Sequence, residues 1–255
     1  MPGRPYILAE TTWKTIQATS YEVAILPWGA TEAHNYHLPY ATDIIESDHI
    51  AAEAARQAWE QGGRVIVLPT VPFGVNTGQL DIKLTINMNT STQLAVLNDI
   101  AASLARQRIP KLLVLNGHGG NDFRQMIREL SPRHDLLICA LDWFRCLKVA
   151  EFFSDTGDHA GEMETSLMQY LTPELVLPLS EAGDGAAKKF NLRALREGWA
   201  WTQRDWLRVT SDTGVGNPHA ATPEKGKRYF EALTQKIAGF LVELAKVDIR
   251  DLYAD

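Results

Sequence analysis

Four short β-branched or leucine-rich runs, Val23 to Leu26, Arg64 to Leu68, Lys111 to Leu115 and Asp135 to Leu141, are separated by longer amphipathic segments. Strands that read as near-continuous apolar runs are covered on both faces, and connections long enough to hold a helix make neighbouring strands parallel. The pattern predicts an α/β fold, a mostly parallel sheet sandwiched between helices. Helices are expected at Ile44 to Gln61, stopped by Gly62 and Gly63, and at Thr92 to Gln107, capped by Thr90 or Ser91. A last helix has Thr222 as N-cap and Pro223 at its first position, and its apolar period runs through Phe230, Leu233, Ile237 and Leu241. Ile82, Leu84, Ile86 and Met88 alternate with polar neighbours, the pattern of one half-exposed strand or arm at an edge or interface.

No Pro/Gly/Ser-rich linker, charge block or composition step divides the 255 residues, so a single domain over 1–255 with a large core is expected. With 31 acidic against 25 basic side chains the formal net charge is -6, which offers no general attraction to a phosphate backbone and disfavours nucleic-acid partners. Met1 to Ser20 lacks the apolar stretch of a signal peptide, and no apolar run approaches the ~20 residues of a membrane span. A cytoplasmic protein without a membrane partner is the expectation. Cys139 and Cys146 do not form a metal-type CxxC pair and read as buried thiols of a reducing compartment.

In open α/β sheets ligands bind outside the carboxyl ends of the strands, so chemistry is sought in the residues that follow each strand. After the first run comes Pro27-Trp28-Gly29-Ala30-Thr31-Glu32-Ala33-His34-Asn35-Tyr36-His37-Leu38-Pro39, and after the third Asn116-Gly117-His118-Gly119-Gly120-Asn121. Of seven histidines, His34, His37, His118 and His159 lie in three short segments that also hold Glu32, Asp43, Glu162 and Glu164. Glu32-x-His34 followed by Asp43 supplies two carboxylates and an imidazole, a mixed O/N donor set that suits Zn, Mn or Fe(II) better than Ca or Mg. An isolated Glu-x-His would read as a hydrogen-bonded surface turn; the second strand-end histidine, His118, shifts the balance to a metal site. The glycine-rich run around His118 matches neither GxxxxGK[ST] nor GxGxxG, which weakens a phosphate-loop reading.

The third segment, Asp158-His159-Ala160-Gly161-Glu162-Met163-Glu164-Thr165-Ser166, has the look of a helix opening. Acids that complement a helix dipole would explain its glutamates and leave Asp158-His159 unexplained. Taken as helical throughout, His159 and Glu162 share a face, and Glu164 is turned about 200° from Glu162.

These three segments, PWGATEAHNYHLPYATD, NGHGGN and DHAGEMETS, stand in the order and at the spacing of the creatininase (creatinine amidohydrolase) family, which the chain resembles over about residues 20 to 230. The resemblance implies a mostly parallel α/β sandwich, commonly a homohexamer, in which two divalent metal ions per chain (Zn, Mn or Fe) activate a shared water. It implies that Glu32, Asp43 and His118 hold one ion, that His34 and the bridging Asp43 hold the other, and that His159 is the proton donor. Creatininase itself completes its site with a glutamate two positions after the NGH histidine, where this chain has Gly120. Glu162 is expected to replace it. Two further departures are Asn35, where the family usually has Gly, and Gly78-Gln79-Leu80-Asp81, where a His-containing stretch is common.

By this resemblance the expected function is hydrolysis of a small, cyclic amide or formamide by metal-bound hydroxide. The family's other chemistry, carbon–carbon ring opening of a cyclic ketone such as an inosose, is the alternative, and a non-catalytic binding or assembly protein that keeps the fold is the second. A complete ligand set favours an enzyme. Trp199, Trp201 and Trp206 are candidates for stacking on a flat substrate, for core or for an oligomer interface. The loop Gly214 to His219 lies near the active site in the family, and His49 and His134 read as structural or solvated.

Overall fold

The computed structural model describes residues 3–253. Its four strands, β1 (Val23–Trp28), β2 (Val65–Val67), β3 (Lys111–Asn116) and β4 (Leu137–Asp142), form one parallel sheet in the order β2-β1-β3-β4. Its helices are α1 (Trp13–Gln17), α2 (Thr42–Glu60), α3 (Thr90–Arg106), α4 (Arg124–Leu130), α5 (Glu162–Leu171), α6 (Arg193–Arg196), α7 (Trp206–Val209) and α8 (Pro223–Lys246). The expected α/β class and all four strands are present. None of the described helices is long and apolar enough to cross a membrane.

The side-chain alternation of each strand divides the core in two. Val23 and Ile25 of β1 and Leu113 and Leu115 of β3 pack under α2 and α8, against Ile50, Ala54, Tyr229, Leu233, Ile237 and Leu241. Ala24, Leu26, Leu112 and Val114 face the other way, onto Leu97 and Ala101 of α3 and Met126 and Leu130 of α4. The sheet is thus buried on both faces, which is why its strands read as continuous apolar runs. Small residues Ala51, Ala54, Ala55 and Ala58 line the buried stripe of α2 and let the sheet and α8 approach closely. On α8 the expected cap is realised: the Thr222 side chain accepts from Lys225 N, with Pro223 at the first helical position. Its buried Leu233, Ile237 and Leu241 each contribute about 1.5–3 kcal/mol of burial free energy, so α8 is held by its packing face.

The chain leaves β1 for β2 on one side and returns from β2 to β3 on the other, so the strand order reverses between β1 and β3. A crevice opens at the carboxyl ends of two such strands, because their outgoing connections turn in opposite directions. Glu32 and His34 follow β1, and His118 follows β3.

Two expectations need correcting here. Residues 82–88 form no strand: Leu84 has φ 66°, a left-handed residue in a turn, and only isolated bridges, Thr31 to Ile86 and Gly74 to Asn87, tie the segment down. Helix α2 begins two residues earlier than expected, with Thr42 N and Oγ1 both bonded to the Pro39 carbonyl, and this places Asp43 in its first turn. A first-turn side chain points back past the helix N-terminus, here toward the end of β1.

Candidate metal centre

Glu32, His34, Asp43, His118, His159 and Glu164 converge in the β1/β3 crevice, all buried. Asp43 stands in the middle. Its Oδ1 lies 2.9 Å from His34 Nε2, and its Oδ2 lies 3.1 Å from His118 Nδ1. Glu32 Oε1 is 2.9 Å from His118 Nδ1, 3.8 Å from His159 Nδ1 and 4.0 Å from His34 Nε2. Glu164 Oε1 is 4.0 Å from His34 Nε2. Three trios result: Glu32/Asp43/His118 and His34/Asp43/Glu164, which share Asp43 through different oxygens, and Glu32/His34/His159.

The remaining nitrogen of each imidazole is fixed by a backbone carbonyl. His34 Nδ1 bonds the Glu32 carbonyl at 3.1 Å, His118 Nε2 that of Val75 at 3.0 Å, and His159 Nε2 that of Ala33 at 2.8 Å. A carbonyl only accepts, so these nitrogens carry the N–H, and the nitrogen turned inward on each neutral ring is a lone pair. Such bonds orient metal-ligating histidines. Ligand bonds of about 2.0–2.1 Å set donor separations of roughly 3.3 Å at tetrahedral geometry, within the range seen here.

Electrostatics test the fit. Burial alone would strip the proton from His34, yet Asp43, Glu164 and Glu32 override it and push the ring up to about 10. Burial likewise opposes a charge on His118, while Glu32 and Asp43 lift it well above the histidine range. Burial would raise Asp43 and Glu32, but the imidazoles hold both below the usual carboxylate range. Protons on these raised imidazoles answer the facing carboxylates; a divalent cation would take the place of those protons, and this donor set suits one. Exposure remains only at His118 (6%), His159 (7%) and Glu164 (8%), so solvent reaches the cluster from their side.

Glu162 is not in this cluster, contrary to expectation. Its Oε2 accepts from Ser154 N and Oγ and from Asp155 N, and Oε1 pairs with Lys225 Nζ of α8. The reason is the register: α5 starts at Glu162, Gly161 is its extended N-cap and Ala160 has φ 51°, so His159 lies off the helix and no helical periodicity relates it to Glu162. Glu164 takes the expected place, its Oε2 accepting from Ala160 N. Gly120 is equally constrained. A Cβ there would stand 2.2 Å from the Val75 oxygen and 2.5 Å from His118 Nε2, in the space of the bond that orients His118.

Other residues fall into place around the centre. Asn35 has φ 53°, a left-handed conformation that Asn tolerates, and its Oδ1 accepts from Gly183 N. His37 bonds Thr165 Oγ1 and is held down at about 4, chiefly by burial, outside all three trios. Trp206 packs edge-on against His159 at 4.8 Å, whereas Trp199 and Trp201 are 74% and 83% exposed. His49 is solvated and His134 bonds Asn98 Oδ1. Glu46 was not legible in the sequence: it is wholly buried on α2 with neither oxygen bonded, and burial, then Glu164 and Asp43, raise it well above the usual carboxylate range.

The family model described as creatinine amidohydrolase matches residues 9–241. The chain belongs to the creatininase family. A crystal structure from Bacteroides fragilis bearing the creatinine amidohydrolase name is 46% identical, covers 96% of this chain and 98% of its own, and superposes with TM-score 0.91. A mycofactocin precursor peptide peptidase from Mycobacterium ulcerans is 29% identical over 86% of this chain and 81% of its own. The crystal structure of creatinine amidohydrolase (creatininase) is 25% identical, covers 95% of this chain and 99% of its own, and gives TM-score 0.78. A mutant creatininase has been solved in a Zn–Zn type and creatininase in a Mn form. This chain is a creatininase-family amidohydrolase.

Proposed function

We propose that the protein hydrolyses the C–N bond of a small amide or formamide at a centre of two divalent cations, with Glu32, Asp43 and His118 holding one and His34, Asp43 and Glu164 the other. The observation that carries this reading is the split of Asp43, one oxygen toward each imidazole. Bound cations there would supply a Lewis acid for the scissile carbonyl and a water ionised near neutral pH. The chain does the rest. His159, anchored through Nε2 on Ala33, presents the Nδ1 lone pair on the inner side, where it is placed to take up the proton lost by the attacking water and to pass that proton on to the leaving nitrogen. Trp206 holds that ring from its other side.

Cleavage of a carbon–carbon bond in a cyclic ketone needs the same cations, so the test is a substrate panel on metal-reconstituted enzyme: creatinine, an N-formyl amine, an oligopeptide and an inosose. Turnover of an amide member supports the proposal, and turnover of the inosose alone refutes it. The name of the mycobacterial relative makes the oligopeptide a specific second reading. A single folded unit over the whole chain and a homo-oligomer, by family analogy a hexamer, complete the proposal. Exposed Trp199, Trp201, Leu84 and Leu192 support the oligomer, since a monomer rarely leaves such apolar area open to solvent.

A further inference from the structure

Gln79 is almost fully buried and touches the centre without belonging to its donor set. Its Nε2 donates to Glu32 Oε2, and its Oε1 has no partner among the described residues. The amide is therefore oriented by one bond alone, the one to Glu32. A carboxylate oxygen accepts and an amide oxygen cannot donate to it, so the amide nitrogen is the end that meets Glu32. The consequence lies in which oxygen is taken. Oε2 is held by Gln79, and Oε1 is the oxygen that faces His118, His159 and His34.

The backbone that carries Gln79 is fixed from both sides. It ends the 3-10 turn Thr77–Gln79, closed by Gln79 N on the Asn76 carbonyl at 2.9 Å. Asn76 in turn donates through its backbone N to Asn87 Oδ1 and through its side chain to the Ile86 carbonyl. On the opposite side Gly78 lies so close to the segment before α7 that a Cβ would stand 2.1 Å from the Arg204 carbonyl oxygen. A turn braced in this way holds its side chain to one position, which a hydrogen bond to a ligand carboxylate requires.

We propose that Gln79 is a positioning residue that makes Glu32 a one-oxygen ligand, withholding Oε2 so that only Oε1 reaches the cation. This rests on the metal-centre reading above. The test is cobalt(II) titration of the full chain, wild type against Gln79→Met, with Gln79→Asn as a shorter amide that cannot span to Oε2. Freed of Gln79, Glu32 turns both oxygens to the cation and coordination number rises, which weakens the visible absorption per bound cobalt. The expected result in both variants is that weakening together with roughly 10–100-fold looser cobalt binding, the usual effect of removing an outer partner of a ligand. A merely structural role would lower Tm and leave the spectrum unchanged, so a variant spectrum superimposable on that of wild type overturns the proposal. Wild-type protein that binds no cobalt refutes the metal-centre reading itself, a distinct failure.

Discussion

Glu164→Gln and Glu162→Gln remove the same charge two residues apart and are expected to have opposite consequences. The trio His34/Asp43/Glu164 has three protein donors, and the substitution leaves two and a weakly donating amide. Zinc sites built from four protein ligands bind with about 10–16 kcal/mol, or roughly 3–4 kcal/mol per ligand, so the second cation should bind on the order of 10²–10³-fold more weakly. Glu162 makes no such contact. Its loss unpairs the Ser154 and Asp155 donors and the Lys225 ammonium. Breaking a buried pair costs about 3–5 kcal/mol, but Lys225 is one-third exposed and rehydrates in part, which reduces the loss to roughly 2–3 kcal/mol. For a chain of this size that lowers Tm by roughly 4–12 °C. Elemental analysis after exhaustive dialysis, paired with thermal melts, reads both quantities. Glu164→Gln should retain one cation, and Glu162→Gln two with a lower Tm. Loss of a cation in Glu162→Gln with retention of both in Glu164→Gln would refute the assignment of α5.

Replacing His159 by Asn should keep the metal content and slow turnover of the substrate that the panel identifies by ~10²–10⁴-fold; an unchanged rate removes it from the chemistry. Gly120→Glu, which restores the residue type of creatininase, should cost metal binding, because its Cβ enters the space of the Val75 to His118 bond; intact metal content would contradict this. The folded-state value of His37, about 4, lies below the ordinary 6.5, so the unfolded chain takes up the proton first. His37 therefore contributes stability that is present above about pH 6.5 and lost as pH falls toward 4, by up to about 1.4 kcal/mol per unit. Urea unfolding between pH 7 and 4.5 should show a shallower acid loss in His37→Gln, and equal slopes would exclude His37 as a source. Light scattering should find a species larger than 28.4 kDa at micromolar concentration, and a monomer would contradict the proposed oligomer.

Most of the fold was legible because burial on both faces leaves a direct trace: Val23 to Leu26 and Lys111 to Leu115 are apolar at nearly every position, and only a covered parallel sheet asks for that. The segment from Ile82 to Met88 carried the period of a strand without the backbone for one, since Leu84 turns it at φ 66°. Glu32, His34, Asp43 and His118 could be picked out because each follows a strand or opens a helix at the strand-order reversal, and His159 because the dipole-complementing acids of its segment left it unexplained. Glu164 was missed for a local reason. A helical wheel relates only residues inside the helix, and the Ala160 and Gly161 conformations that place His159 outside it have no periodic signature. Gln79 and Glu46 act through contacts far away in sequence, Gln79 on Glu32 and Glu46 beside Glu164, and one chain read by itself carries no mark of such pairs.

The central claim is that two cations share Asp43, and anomalous diffraction from crystals grown with zinc or manganese tests it most directly. Two peaks roughly 3.5–4 Å apart are expected, one against Glu32, Asp43 and His118 and the other against His34, Asp43 and Glu164. A single peak at full metal saturation, or a second peak that does not contact Asp43, would contradict it.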